Sequence, residues 1–178
     1  MKVIVFIGLP GTGKSTLGKK VATIRGYQYI STGDIARELL DKSWQSKGEL
    51  APENYIRTRF MEEVSKAKEL GVKGVVIDGM PRTVEQVYFI SSLFPSIQYI
   101  ILNAPYEVLV HRLYKRGRTD DTENVIKKRI EDADNNMIKI QSYITKFLPY
   151  NIRRDYILTL NTGRIDTNIL IDKLLEVV

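Results

Sequence analysis

Residues 8 to 16 read GLPGTGKST and fit the pattern G-x-x-x-x-G-K-[S/T]. Glycines Gly8, Gly11 and Gly13 allow backbone N–H groups to turn inward around phosphate oxygens where a helix begins. Lys14 supplies a cation for the outer phosphates, and the Ser15 hydroxyl can ligate Mg2+. Pro10, Thr12 and Thr16 complete a loop able to wrap a triphosphate. A glycine-rich turn without a ligand would share this composition. The apolar run before the loop and the helical pattern after it are the context that the phosphate reading requires.

Further candidate groups lie elsewhere in the chain. VVIDGMPRT puts Asp78 at the end of an apolar run, where a carboxylate is costly unless it meets a metal, a water network or a cation. Together with Ser15 it suits Mg2+, held directly or through water. The plainer reading is a turn, in which Asp78 and Gly79 close a strand, Pro81 opens a helix and Arg82 lies on the surface. ISTGDIARELL offers Ser31, Thr32 or Asp34 as a helix cap. As a site it would bring a hydroxyl and Arg37 to the carboxyl end of another strand. YKRGRTDD, residues 114 to 121, crowds Lys115, Arg116 and Arg118 against Asp120 and Asp121 around Gly117. Mixed charge beside a glycine usually marks an exposed helix end and turn, so this octapeptide becomes a polyanion site only in company with other motifs.

Periodicity shows which elements must position these groups. Val3 to Ile7 is a continuous β-branched and aromatic run, the pattern of a strand covered on both faces. GVVID, IQYIIL and DYILTL repeat it, and a shorter strand precedes STGD. Helical stretches are predicted over 14 to 25, about 32 to 41, about 53 to 69, 83 to 92, 105 to 116, and from about 122 onward. In the last, Ile126, Ile130, Ala133, Met137, Ile140, Ile144 and Phe147 recur at steps of four and three, a single stripe expected to pack on the sheet. This alternation predicts an α/β domain with a doubly wound, five-stranded parallel sheet, helices on both faces and ligands at the carboxyl ends of the strands.

Composition sets outer limits. The 178 residues, 43% hydrophobic and 27% charged, suffice for one core, and no composition break divides them, so a single domain over 1 to 178 is expected. The absence of cysteine excludes a disulfide framework and thiolate metal sites, and a single histidine, His111, argues against a histidine-rich centre or a Ser/His triad. His111 is expected to be structural or solvent-facing. The run from Val3 to Leu9 is too short for a membrane span and leads into glycines rather than a cleavage site. A cytoplasmic protein without a membrane partner is expected. The net charge of +6 suits an anionic ligand, and by itself suits nucleic acid equally.

Arg37, Arg82, Arg112, Arg116, Arg118 and Arg129 all fall beside predicted ligand-facing ends, more guanidinium groups than triphosphate hydrolysis requires. Phosphoryl transfer works largely by positioning and charge stabilisation, so several guanidinium forks make sense when donor and acceptor are both phosphates. A hydroxyl acceptor would need a placed general base. A nucleoside monophosphate, with a second pKa of about 6, is already mostly dianionic near neutral pH.

GLPGTGKST, STGDIAR, KGELAPEN, DGMPRTVEQ, KRGRTDD and KKR follow one another in an order that resembles the adenylate kinase family of nucleoside monophosphate kinases over nearly the whole length. The resemblance implies the P-loop NTPase fold and transfer of a phosphoryl group from ATP, with Mg2+, to AMP, giving two ADP. It implies that Thr32, Arg37, Gly79, Arg82 and Gln86 bind the monophosphate. The two arginines would hold its phosphate, Gln86 would read the adenine edge, and backbone around Ala51 would line the same base. Gly8 to Thr16 would hold ATP, Arg112 would stack on its adenine, and the segment at Gly163 would touch that base. Lys14, Arg82, Arg116, Arg118 and Arg129 would act on the transferring group, with Gly117 as a bend in a catalytic arm that Asp120 and Asp121 could hold.

Three features depart from that family. Ser15 stands where most adenylate kinases have glycine, a likeness to small sugar and shikimate kinases. Met80 replaces a more usual aromatic residue. The segments after Arg37 and Arg118 are short, giving a trimmed monophosphate-binding segment at about 32 to 70 and a minimal lid at about 116 to 122. The alternatives are a UMP or CMP kinase, a small-molecule kinase with a hydroxyl acceptor and Asp34 as base, and a nucleotide-dependent regulatory or RNA-associated protein. Nucleic acid is not the expected partner.

Overall fold

The computed structural model of the chain describes residues 1–39, 51–118, 122–147 and 157–178. Strands β1 (Lys2–Gly8), β2 (Gln28–Ser31), β3 (Gly74–Asp78), β4 (Gln98–Asn103) and β5 (Ile157–Asn161) form one parallel sheet in the order β2-β3-β1-β4-β5. The register matters for function. Phe6 and Ser31 both lie opposite Asp78, and Gly8 lies opposite Leu102, so the carboxyl ends of β1, β2 and β3 finish side by side. Loops leaving those ends must share one cleft, as expected where strand order reverses in an open parallel sheet.

Strand side chains alternate between the two faces. Val3, Val5 and Ile7 join one buried cluster, and Ile4 and Phe6 join another. On the first face pack α3 (Glu53–Glu69), through Ile56, Phe60, Val64 and Ala67, and α4 (Val84–Leu93), through Val87 and Ile90. On the second pack α1 (Lys14–Arg25), through Leu17, Val21 and Ala22, and α7 (Thr167–Val177), through Leu170, Ile171 and Leu174. Burying each large apolar side chain contributes about 1.5–3 kcal/mol, so these two faces dominate the stability of the scaffold. The expected doubly wound α/β fold is present.

Between these elements lie α2 (Thr32–Leu39), α5 (Tyr106–Arg116) and α6 (Glu123–Phe147). The α6 stripe corrects the expectation that it packs as one seam on the sheet. Ile140 and Ile144 join the first sheet face, but Ile126 and Ile130 form a separate cluster with Leu109 and Leu113 of α5. Length explains the division. Twenty-five residues make a helix about 38 Å long, whereas a seven-residue strand spans about 23 Å, so α6 overhangs the sheet and needs a second partner.

The other boundaries shift slightly. Helix α4 starts at Val84 because the Thr83 side chain caps it, accepting from the Gln86 N–H at 3.3 Å, so Pro81 does not open it. Met80 is buried in the core, and His111 is exposed. Among the described residues no helix is long and apolar enough to cross a membrane.

Candidate active site

The loop after β1 is held from three directions. Gly11 has φ +86, and a Cβ there would lie 2.9 Å from the Leu109 carbonyl oxygen of α5, so only glycine allows this approach. The Thr12 hydroxyl donates to the Leu9 carbonyl at 2.8 Å, and Lys14 Nζ donates to the carbonyls of Gly8 at 2.6 Å and Leu9 at 2.8 Å. Helix α1 begins at once, with Gly13 as an N-cap that offers no side-chain acceptor. Its first N–H groups therefore lack the usual capping oxygen and sit where anions are favoured. Burial pushes the Lys14 ammonium down to about 8, against the pull of Asp78, and the charges of Arg82 and Arg116 add to the fall.

Asp78 ends β3 at 3% exposure and accepts from two hydroxyls on the same oxygen, Oδ2: Ser15 at 2.5 Å and Tyr29 at 2.6 Å. Tyr29 is a neighbour of the candidate site that sequence reasoning missed, because a strand tyrosine looks like core. Its phenol is pushed up by burial and then by the Asp78 charge, so it stays a donor. Ser15 and Asp78 are hard oxygen groups side by side at a buried strand end, the donor chemistry that Mg2+ takes. Among the described residues no cluster of three or more His, Asp or Glu gathers. The pair therefore fits an ion that takes its remaining ligands from water and nucleotide phosphates.

The acceptor-side candidates converge across the β2 and β3 ends. Ser31 Oγ accepts from the Asp34 N–H at 3.1 Å and caps α2, which carries Arg37 inward. A Cβ built at Gly33 would lie 3.5 Å from Arg37 Nη1 and 3.7 Å from Arg82 Nη2, so the two guanidinium groups flank one point. Gly79, at φ +85, lets the chains meet there: a Cβ would fall 2.7 Å from Thr32 Oγ1 and 3.1 Å from the Gly33 nitrogen. Arg82 Nε donates to the Gly79 carbonyl at 2.7 Å. Although Arg82 is exposed toward the cleft, the surrounding protein partly desolvates its guanidinium, and with Arg129 and Arg37 lowers its pKa against Asp78. Several cations gathered about one place form a receptor for a polyanion.

Gln86 is buried, with its amide engaged at both ends. Its Oε1 accepts from the Arg82 backbone N–H at 2.7 Å, and its Nε2 donates to Glu53 Oε2 at 2.7 Å. Glu53, unmarked in the sequence, opens α3 two residues after Ala51, which packs against the first core cluster. Asp34 is paired with Arg37. Burial alone would raise its pKa, but the Arg37 hydrogen bond and charge hold it below the ordinary value. That environment makes Asp34 a poor general base.

On the other side, Arg112 of α5 donates to the Gly11 carbonyl at 3.3 Å, to Thr162 Oγ1 at 3.0 Å and to the Thr162 carbonyl at 2.7 Å. Thr162 in turn donates to the Thr12 carbonyl at 2.9 Å, tying the end of β5 to the loop. Neighbouring Gly163 leaves room for Pro105, which a Cβ would approach to 2.5 Å. Arg116 ends α5, Gly117 caps it at φ +64, and Arg118 follows half-buried, as is Arg129 on α6. The Arg116 charge is felt at Lys14 and the Arg129 charge at Arg82, each lowering the neighbouring cation's pKa. Asp120 and Asp121, with Thr119 between them and Arg118, lie outside the described residues, as does the segment 40–50.

A phosphate-binding loop on a parallel sheet, a carboxylate and hydroxyl pair beneath it, and guanidinium groups facing it define a P-loop phosphotransferase. The comparisons narrow the class. The family model described as AAA domain matches residues 7–127. Adenylate kinase 1 of Synechocystis is 36% identical over 143 residues, covering 72% of this chain and 75% of that protein. Adenylate kinase isoenzyme 1 of Gallus gallus is 35% identical over 144 residues, with 73% and 74% covered. The adenylate kinase of Oenococcus oeni is 33% identical over 156 residues, with 80% and 83% covered. The chain belongs to the adenylate kinase family, the nucleoside monophosphate kinases of this fold.

Proposed function

We propose that the protein transfers the γ-phosphoryl group of ATP to AMP, giving two ADP. The observation that carries this reading is the pairing of Arg37 and Arg82 beside Gly33, close enough to the loop that Lys14 feels the Arg82 charge. Two phosphates brought together need this division of cations: one set for the donor, another for the acceptor. An AMP phosphate oxygen attacks the γ-phosphorus, the bond from that phosphorus to the β,γ-bridging oxygen breaks, and ADP leaves carrying the electron pair. No proton has to be removed from a dianionic acceptor, and the pairing of Asp34 with Arg37 weighs against a hydroxyl acceptor.

In this reading Gly8 to Thr16 wraps the ATP phosphates, and Lys14 offsets charge on the outer ones. Ser15 and Asp78 hold Mg2+, directly or through water, and the ion supplies charge neutralisation between the phosphates. Arg112 lies against the ATP adenine beside Gly163. Thr32, Gly79, Arg37 and Arg82 seat the AMP phosphate, while Ala51 and Gln86 face its base. Arg116, Arg118 and Arg129 act on charge that develops at the transferring group.

A coupled assay of ATP against AMP, CMP, UMP, shikimate and gluconate tests the proposal. AMP should be the best acceptor. Turnover of a hydroxyl compound without AMP turnover would overturn it, as would nucleotide binding without turnover of any acceptor.

A further inference from the structure

The hydrogen-bond partners of Gln86 fix which way round its amide lies. A backbone N–H can only donate, so the atom facing the Arg82 nitrogen at 2.7 Å must be the carbonyl oxygen of Gln86. An ionised carboxylate can only accept, so the atom facing Glu53 Oε2 at 2.7 Å must be the NH2 group. Turning the amide over would set NH2 against N–H and carbonyl oxygen against carboxylate, two repulsive contacts at a residue only 6% exposed. Glu53 is itself held, since its other oxygen accepts from Arg57 Nε at 2.6 Å. The orientation is thus dictated by partners with no freedom of role.

We infer that Glu53 is a specificity-determining residue, which acts by locking the Gln86 amide to read a base edge that presents an exocyclic donor beside a ring acceptor. The inference rests on the proposed placement of the acceptor base against Gln86. After its two protein bonds the amide keeps one N–H and one oxygen lone pair. Adenine, with an exocyclic NH2 beside a ring nitrogen acceptor, matches that pair. Hypoxanthine and uracil present a carbonyl beside a ring N–H, the reverse order, and could be matched only by an inverted amide. Cytosine shows the same order as adenine, so the lock does not exclude it and ring size must do so. Glu53 need not touch the nucleotide. It discriminates by withholding an alternative orientation from Gln86, and a rejected base leaves buried polar groups unpaired.

Glu53→Gln tests this, because an amide at 53 can accept or donate and so lifts one of the two contacts that oppose an inverted Gln86, leaving only the Arg82 N–H. The measurement is the ratio of kcat/KM for AMP to that for IMP, with direct calorimetric binding of both nucleotides and a thermal melt on each protein. The ratio should fall about tenfold in Glu53→Gln, the size of one hydrogen bond to a charged group, mainly through a lower KM for IMP. Glu53→Asp, which keeps an obligate acceptor, should retain more of the preference than Glu53→Gln. An unchanged ratio in Glu53→Gln would overturn the inference while leaving AMP kinase activity standing, and so would equal loss of both substrates with a lowered melt. Wild-type protein that turns over no AMP would instead overturn the functional reading and the inference with it.

Discussion

Thr162→Val removes one hydroxyl and leaves the shape of the side chain nearly unchanged. In the structure that hydroxyl donates to the Thr12 carbonyl at 2.9 Å and accepts from Arg112 at 3.0 Å, at 5% exposure. A net hydrogen bond contributes about 0.5–1.5 kcal/mol between neutral groups and about 1.5–3 with a charged partner. Arg112 is half-buried and keeps its 2.7 Å bond to the Thr162 carbonyl, so the lower part of each range applies. The expected loss is about 2 kcal/mol, or a shift of about 1 M in the urea midpoint for a chain of this size. The site should respond selectively, because the lost bonds join the phosphate loop to the proposed ATP base site. The KM for ATP should rise about tenfold, with the KM for AMP within about twofold of wild type. Thr162→Ser restores the hydroxyl and should return both quantities most of the way. Urea denaturation and initial rates with each nucleotide varied give the answer. A Thr162→Val protein of wild-type stability and unchanged ATP kinetics would refute the reasoning, as would a Ser variant no better than Val.

Arg37→Ala or Arg82→Ala should raise the KM for AMP or lower kcat, while ATP affinity measured without AMP stays near wild type; collapse of ATP binding would contradict their placement. Lys14→Met should keep the fold, read by circular dichroism, and lose at least about a hundredfold in turnover. With the Lys14 pKa near 8 in the free protein and raised by bound phosphates, the ammonium is present below that pH and is lost above it. ATP affinity should therefore be level at lower pH and weaken above pH 8 by up to about tenfold per unit, whereas affinity level to pH 9.5 would contradict it. Gly79→Ala should cost about 1–3 kcal/mol in urea denaturation, because alanine at φ +85 is strained and its Cβ meets Thr32 Oγ1.

Much of the scaffold could be read locally. The spacing over 14 to 25 and 53 to 69 gave the bounds of α1 and α3, since a helix and its apolar face are properties of one contiguous segment. Strand order and register depend on distant pairing, and those put Asp78 opposite Ser31 and under Ser15. The same limit explains the α6 stripe, whose periodicity is visible but whose two partners are not. At the site, residues with unusual composition around them stood out, and supporting residues did not. Tyr29, Glu53 and Thr162 look like an ordinary strand aromatic, a first-turn helix acid and a turn threonine. Their importance comes from the atoms they face, on segments up to 150 residues away in the chain. Gln86 was visible as a candidate, but the fixed direction of its amide required the positions of Arg82 and Glu53.

The most direct test of the account follows the fate of the transferred group. Protein incubated with γ-labelled ATP and unlabelled AMP should yield ADP carrying the label on its β-phosphate, formed from AMP, with little label in free phosphate while AMP is present. CMP and UMP should accept label more slowly than AMP, and shikimate or gluconate should accept none. Label found only in inorganic phosphate, or on a hydroxyl compound and not on AMP, would contradict the assignment of Arg37 and Arg82 to an acceptor phosphate.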